Sequence, residues 1–382
     1  MKIFHFKKNL SVALLVFSVG CVVTSCKKSG EGAAKPMDMD PTVVVTTIAG
    51  GGMGSPGTTT SPVYGQIGTA NGPGTAAAFN APAGVAIDAA GNVYIAEAGN
   101  HDIRKMTPDG MVSSFVGNTT GGFANGTGGA ASFSSMQGIA IDAAGNLYVA
   151  DSGNQAIRKV TPGGVVTRFA GTGTMGAANG PVASATFNAP TGVAIDAAGN
   201  VYVADFGNKM IRKITADGIV STLAGSGTVG YDNGTGATAT FTSPDRLVVD
   251  AAGNVYVSDF KMVRKITPDG MASTLAGNNV DPSVAYSQPV DGKGSAASFI
   301  VADGISIDAS GNLYVGDENL VRMVTPDGVV TTLAGGGNGA TTDGIGTKAS
   351  FGILRGVSVN TSGKLMYVAD YFTSLIRKIT IN

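Results

Sequence analysis

From residue 84 to residue 97 the chain reads Gly-Val-Ala-Ile-Asp-Ala-Ala-Gly-Asn-Val-Tyr-Ile-Ala-Glu: a short apolar run, a turn of small and polar residues, then a second apolar run. The pattern returns nearly unchanged at 138–151 and 192–205, and in weaker form from Arg246, Gly304 and Gly356. The starts are 54, 54, 54, 58 and 52 residues apart, so six units fill residues 42–382 and leave no room for a second domain. In the third unit, Val193 to Ile195 is predicted as strand A and Val201 to Ala204 as strand B. Met210 to Thr215 is predicted as strand C and Ile219 to Ala224 as strand D. Strands A and B are continuous runs of small and β-branched residues, which implies a sheet covered on both faces. Strands C and D mix apolar residues with Arg, Lys, Ser and Thr, which predicts a half-wet outer pair.

The six units imply a closed ring of four-stranded blades. The sixth unit supplies Val357 to Val359, Leu365 to Ala369 and Leu375 to Thr380, then the chain ends without a strand D. The segment Val43 to Gly50 (VVVTTIAG) matches Gly328 to Gly335 (GVVTTLAG), so the N-terminal strand is expected to complete blade 6 and remove the open edges of a linear array.

Composition agrees with a glycine-rich all-β protein: 58 Gly, 43% hydrophobic and 13% charged residues, and no Trp. Collagen is excluded because the glycines have no Gly-X-Y period, and a disordered tail because too much of the chain is apolar. The N-terminus reads as a targeting segment. Lys2, Lys7 and Lys8 precede an apolar run from Leu10 to Val23, too short for a typical membrane span. Val23-Thr24-Ser25-Cys26 resembles a bacterial lipobox, so 1–25 is expected to be a lipoprotein signal peptide and Cys26 the lipidated residue. Residues 26–41, small, charged and Pro-containing, fit a flexible tether. Without the signal, 22 basic residues stand against 26 acidic ones, a formal charge of −4 that argues against a nucleic-acid partner. The folded part has no cysteine for a disulfide or a thiolate metal site.

The shared pattern P-x-G-[IV]-A-[IV]-D-x-x-G-N-[LV]-Y-[IV]-A-[DE]-x-x-[NH]-x-x-[IV]-R-K-[IVM]-T-P-[DG]-G resembles the NHL repeat, the blade unit of a β-propeller family. It covers essentially all of 42–382 in six aligned copies. Departures are Arg246 in place of the strand A glycine, Asn360 in place of the turn Asp, and two residues missing between strands B and C in units 4 and 5. The resemblance implies a six-bladed NHL β-propeller. Relatives with this or a similar shape include RNA-binding domains, a zinc-dependent amidating lyase, sensor domains and gluconolactonase-like hydrolases.

Residues present in every unit are expected to build blades. Arg104, Arg158, Arg212, Arg264, Arg322 and Arg377 in strand C are expected to pair with Glu97, Asp151, Asp205, Asp259, Asp317 and Asp370 at the end of strand B. Phe79, Phe133, Phe187, Phe241, Phe299 and Phe351 are expected to plug the long loops onto the sheets. The antiparallel order puts the B–C and D–A connections on one face, the variable one, and the short A–B and C–D turns on the other. Just before each strand A stand Ala83, Gln137, Thr191, Asp245, Asp303 and Arg355, a ring with no repeated type, expected at the channel mouth on the loop face. The two longest D–A loops flank blade 6, where Tyr371 and Phe372 with Tyr286 and Tyr64 are expected to form a groove for a sugar or extended peptide. The candidate binding set is therefore Gln137, Asp245, Arg246, Asp303, Arg355, Tyr371, Phe372 and Tyr286.

The sequence favours a non-catalytic module of the bacterial envelope, anchored through Cys26, that binds a protein or glycan and needs no cofactor. The alternative is a metal-dependent lactonase or hydrolase at the channel mouth, with Asp245 and Asp303 as its best ligands; whether a metal sits there is left open by the sequence. His101, the one histidine beyond the signal, is expected at the surface.

Overall fold

A computed structural model describes residues 42–51, 65–278, 288–336 and 341–382. Cys26, Tyr64 and Tyr286 lie outside the described residues. Six antiparallel sheets form a ring in which each strand A packs against that of the next blade, and strand A of blade 6 against that of blade 1. The fold is a six-bladed β-propeller.

Blade 3 represents the unit: strand A Pro190–Ile195, strand B Val201–Asp205, strand C Met210–Ile214 and strand D Ile219–Ala224. Strand A begins earlier than the apolar run alone predicts, so the ring residues lie within it. Each sheet has five strands rather than four. The fifth is a two-residue piece of the D–A loop, such as Gly180–Pro181, which pairs with the outer side of strand D. The loop thus runs out to the rim of its own blade before turning inward, and strand D is not an open edge.

Closure is as expected. Val43–Ala49 pairs with Leu375–Ile381 on one side and with Gly344–Ile345 on the other, filling the strand D place of blade 6. Val45 and Ala49 are fully buried by it.

The expectation of a half-wet strand C is corrected. In Ala156–Val160 every residue but Lys159 is buried, and only strand D alternates. The strand C arginine is not on a wet face; the D–A loop and its Phe cover it. In the inner strands, a Cβ on Gly138 would lie 2.5 Å from the Thr191 carbonyl oxygen of the next blade, so close approach of neighbouring strands A requires glycine there.

Candidate functional site

The acid–arginine pairs lie inside the blades. Arg158 is fully buried, and its Nη1 donates to Asp151 Oδ2 (2.9 Å) and to the Ser132 carbonyl (3.0 Å). Its Nη2 donates to the Ala124 carbonyl (2.8 Å) and Asn125 Oδ1 (3.0 Å), and the guanidinium lies 5.1 Å from the centre of the buried Phe133 ring. The arrangement recurs in all six blades, with acid–arginine separations from 2.7 Å at Arg212–Asp205 to 3.8 Å at Arg377–Asp370. These acids therefore do not form a ring facing a ligand. The loop partners Asn71, Asn125, Asn179, Asn233, Asp291 and Asp343 escaped the sequence reading, although each stands before a glycine 31–34 residues ahead of its arginine.

Blades 4 and 5 compensate for their missing B–C residues. In blades 1–3 the acid takes one backbone N–H and an Asn side chain, as Asp151 does from Ser134 and Asn154. With no such Asn, Asp259 Oδ1 accepts from both Thr242 and Ser243 N–H, and Asp317 Oδ1 from Ile300 and Val301.

Among the described residues, all nine non-glycine residues with left-handed backbone lie on the loop face: Ala81, Ser135 and Ala189 before strand A, and His101, Gln155, Lys209, Phe260, Glu318 and Ser374 between B and C. Each such conformation costs on the order of 1–3 kcal/mol and persists because its surroundings hold it. Several act as latches to the next blade. Gln155 Oε1 accepts from Ala189 N–H (2.5 Å), and the Phe260 and Glu318 carbonyls accept from Ala302 (2.7 Å) and Leu354 (2.8 Å). His101 is partly buried, not fully at the surface.

At the channel mouth the structure gathers six of the candidate residues, five polar ones and Tyr371. Arg246 reaches across: its Nη1 donates to Asp245 Oδ1 (2.6 Å) and the Thr191 carbonyl (3.2 Å), its Nη2 to the Ala83 carbonyl of blade 1 (3.2 Å) and Gln137 Oε1 of blade 2 (3.4 Å). Arg355 of blade 6 donates to the same Gln137 oxygen (3.2 Å), approaches Asp303 Oδ2 at 3.7 Å, and lies 4.3 Å from the centre of the Tyr371 ring. Asp303 is buried against Asp245; burial first, and the Asp245 charge second, raise its carboxyl well above the ordinary range, opposed by Arg246 and Arg355. Phe372 is 58% exposed beside Tyr371. Below the mouth a channel of about 270 Å³ is walled by apolar strand A residues such as Val85, Val193 and Leu247.

Arg246 fits at a glycine position with help from strand B. Ser258 Oγ accepts from the Arg246 N–H (3.0 Å) and donates to its carbonyl (3.2 Å). Ser258 stands where the other strands B carry Ala or Gly, a co-departure that was visible in the sequence but passed over.

The NHL repeat model matches residues 79–106, 133–160 and 187–214, the first three blades up to strand C. NHL repeat-containing protein 2 of Bos taurus is 28% identical over 326 residues; the match covers 76% of this chain and 45% of that protein, so the chain spans less than half its length. A solved structure of an auxiliary nutrient binding protein from Bacteroides thetaiotaomicron superposes with a TM-score of 0.65 at 15% identity, over 89% of this chain and 77% of that one. A gluconolactonase from Xanthomonas campestris superposes at 0.55 with 14% identity, over 94% and 100%. At these identities the two structures share the fold. With the repeat pattern in six copies, each folded as one blade, the chain belongs to the NHL-repeat β-propeller family.

Proposed function

We propose that this protein is a binding module without catalysis of its own, that it recognises a protein or glycan on the loop face, and that it works in the bacterial cell envelope from a lipid on Cys26. The observation that carries the reading is the mouth cluster: Gln137, Asp245, Arg246, Asp303 and Arg355 converge there from four blades without repetition. The opposite face repeats one Asp-centred turn five times, as in Asp196 Oδ1 accepting from Ala198 and Asn200 N–H. Non-repeating polar groups on a repeating scaffold are what a single ligand requires. A nutrient-binding protein among the structures of like fold supports the same use of the scaffold. Strand D of blade 6 begins at Val43 on the turn face, so the chain enters the propeller opposite the mouth.

The hydrolase reading rests on the neighbouring carboxylates of Asp245 and Asp303. Each faces a guanidinium, and among the described residues no group of three His, Cys, Asp or Glu converges. Two carboxylates and an amide held against two fixed cations do not fit a divalent ion.

The test is affinity capture from solubilised envelope with the full-length protein, in parallel with a glycan panel. Retention of a defined protein or glycan supports the module. A stoichiometric metal ion lost on Asp245→Ala plus Asp303→Ala, with turnover of a lactone, overturns it. Separately, Cys26→Ser is expected to move the folded protein from the membrane to the soluble fraction.

A further inference from the structure

We propose that the channel mouth selects an acidic saccharide, with Arg355 meeting its carboxylate and the ring lying beside Tyr371 and Phe372. This rests on the reading of the mouth as the binding surface and names the ligand class.

The two mouth arginines are not equivalent. Arg246 is 6% exposed and committed to four acceptors. Arg355 has a side chain 34% exposed and donates from Nη1 to Gln137; its Nε is buried, and its approach to Asp303 is too long for a hydrogen bond. Its guanidinium is therefore partly open at the mouth, and a planar guanidinium open to solvent suits a carboxylate.

The charge balance leads to the same class. Asp303 faces Asp245 and Arg246 from blade 4 and Arg355 from blade 6, and burial, then the Asp245 charge, push its carboxyl towards the neutral form. The weaker the Asp303 charge, the more the two guanidiniums outweigh the acids, and the excess is positive, for an anionic ligand to neutralise. A saccharide is favoured over an acidic peptide because strand A, the inner edge of each sheet, lies so close to strand A of the next blade that a Cβ on Gly138 or Gly304 would stand 2.5 Å from the neighbour's carbonyl oxygen, which leaves no room to add a strand between them. The exposed Phe372 ring and the amide of Gln137 provide the mixed apolar and polar surface that a sugar ring presents in return.

The experiment is isothermal titration of the full-length protein with trigalacturonate, maltotriose and triglutamate. The uronate is expected to bind about tenfold or more tighter than maltotriose, with Arg355→Ala abolishing that difference and Arg355→Lys keeping part of it. Affinity for the uronate should fall as pH rises through the raised Asp303 pKa, where the mouth loses its net charge, and Asp303→Asn should flatten that profile. Equal binding of maltotriose, lost on Tyr371→Ala, overturns acidic selectivity while leaving the mouth as the binding face. Preference for triglutamate overturns the saccharide, and no binding of any probe overturns the proposal as a whole. Capture from the envelope judges the binding-module reading separately.

Discussion

Arginine and carboxylate meet in two regions of this propeller, with opposite consequences. In the body of each blade a strand C arginine is fully buried, held by its acid, two loop carbonyls and a loop Asn or Asp, and capped by a Phe. At the channel mouth, Arg246 and Arg355 meet Asp245 and Asp303 in a set that no other blade repeats, and one of the two guanidiniums is a third exposed. Where an ion pair is repeated and nearly satisfied, it fixes how loop, sheet and neighbour fit together. Where it is unrepeated and partly exposed, it is free of that repeated structural duty, which is why the proposed site is placed there. The type of residue does not distinguish scaffold from candidate site; its burial and its repetition do.

The most severe way to break the scaffold half is to remove residues 43–50. This opens blade 6, uncovers apolar faces and strands Asp343, which accepts from Thr47 as well as Arg377. Loss of the cooperative melting transition is expected, and an unchanged melting temperature would show that closure lies elsewhere. Next is Arg158→Ala, which leaves the buried Asp151 without its countercharge, takes a donor from the Ser132 and Ala124 carbonyls, and should cost about 3–5 kcal/mol in denaturant unfolding. Arg246→Gly restores the residue of the other five blades and should cost less, about 1–3 kcal/mol; a cost equal to that of Arg158→Ala would erase the distinction drawn here.

Blade 1 provides a finer test, because it alone carries Asp102 opposite Glu97 in the ladder. Burial, then the Asp102 charge, push Glu97 up to about 9. A carboxyl raised by folding gives its stability in full below the ordinary carboxyl range and loses it as pH rises towards about 9. Stability of the wild type should therefore decline across that window. Asp102→Met, the residue of blades 3 and 4, should flatten the decline and add about 1 kcal/mol at mildly alkaline pH. A steeper decline in that variant would show that Asp102 relieves Glu97 rather than repelling it.

Much of the scaffold was legible in the sequence, because each blade repeats the same steric requirement. The strand order, the completing N-terminal strand, the Phe plugs and the arginine–acid pairing all follow from residues that recur at fixed spacing. The burial of strand C did not, since the D–A loop that covers Arg158 is distant in sequence and its Asn125-Gly126 step looks like an ordinary turn. Of the site, position was legible and connection was not. Gln137, Asp245, Asp303 and Arg355 could be placed on one ring, but the span of Arg246 to Ala83 joins blades 163 residues apart, and only Ser258 marks the bend that permits it. The groove expected over blade 6 depends partly on Tyr64 and Tyr286, outside the described residues; Tyr371 is instead found against Arg355 at the mouth.

The central claim is that recognition belongs to the mouth and not to the repeating turns. The measurement that tests it most directly is retention of envelope ligand by three full-length proteins of matched purity: wild type, Arg355→Ala with Tyr371→Ala, and the turn-face control Asp109→Ala with Asp269→Ala. The side chain of Arg355 is a third exposed and lies outside the blade cores, so the mouth variant should keep a cooperative transition at a cost of about 1–2 kcal/mol while losing retention, and the turn-face control should keep both. Full retention by the mouth variant, or its loss in the turn-face control alone, would contradict the account.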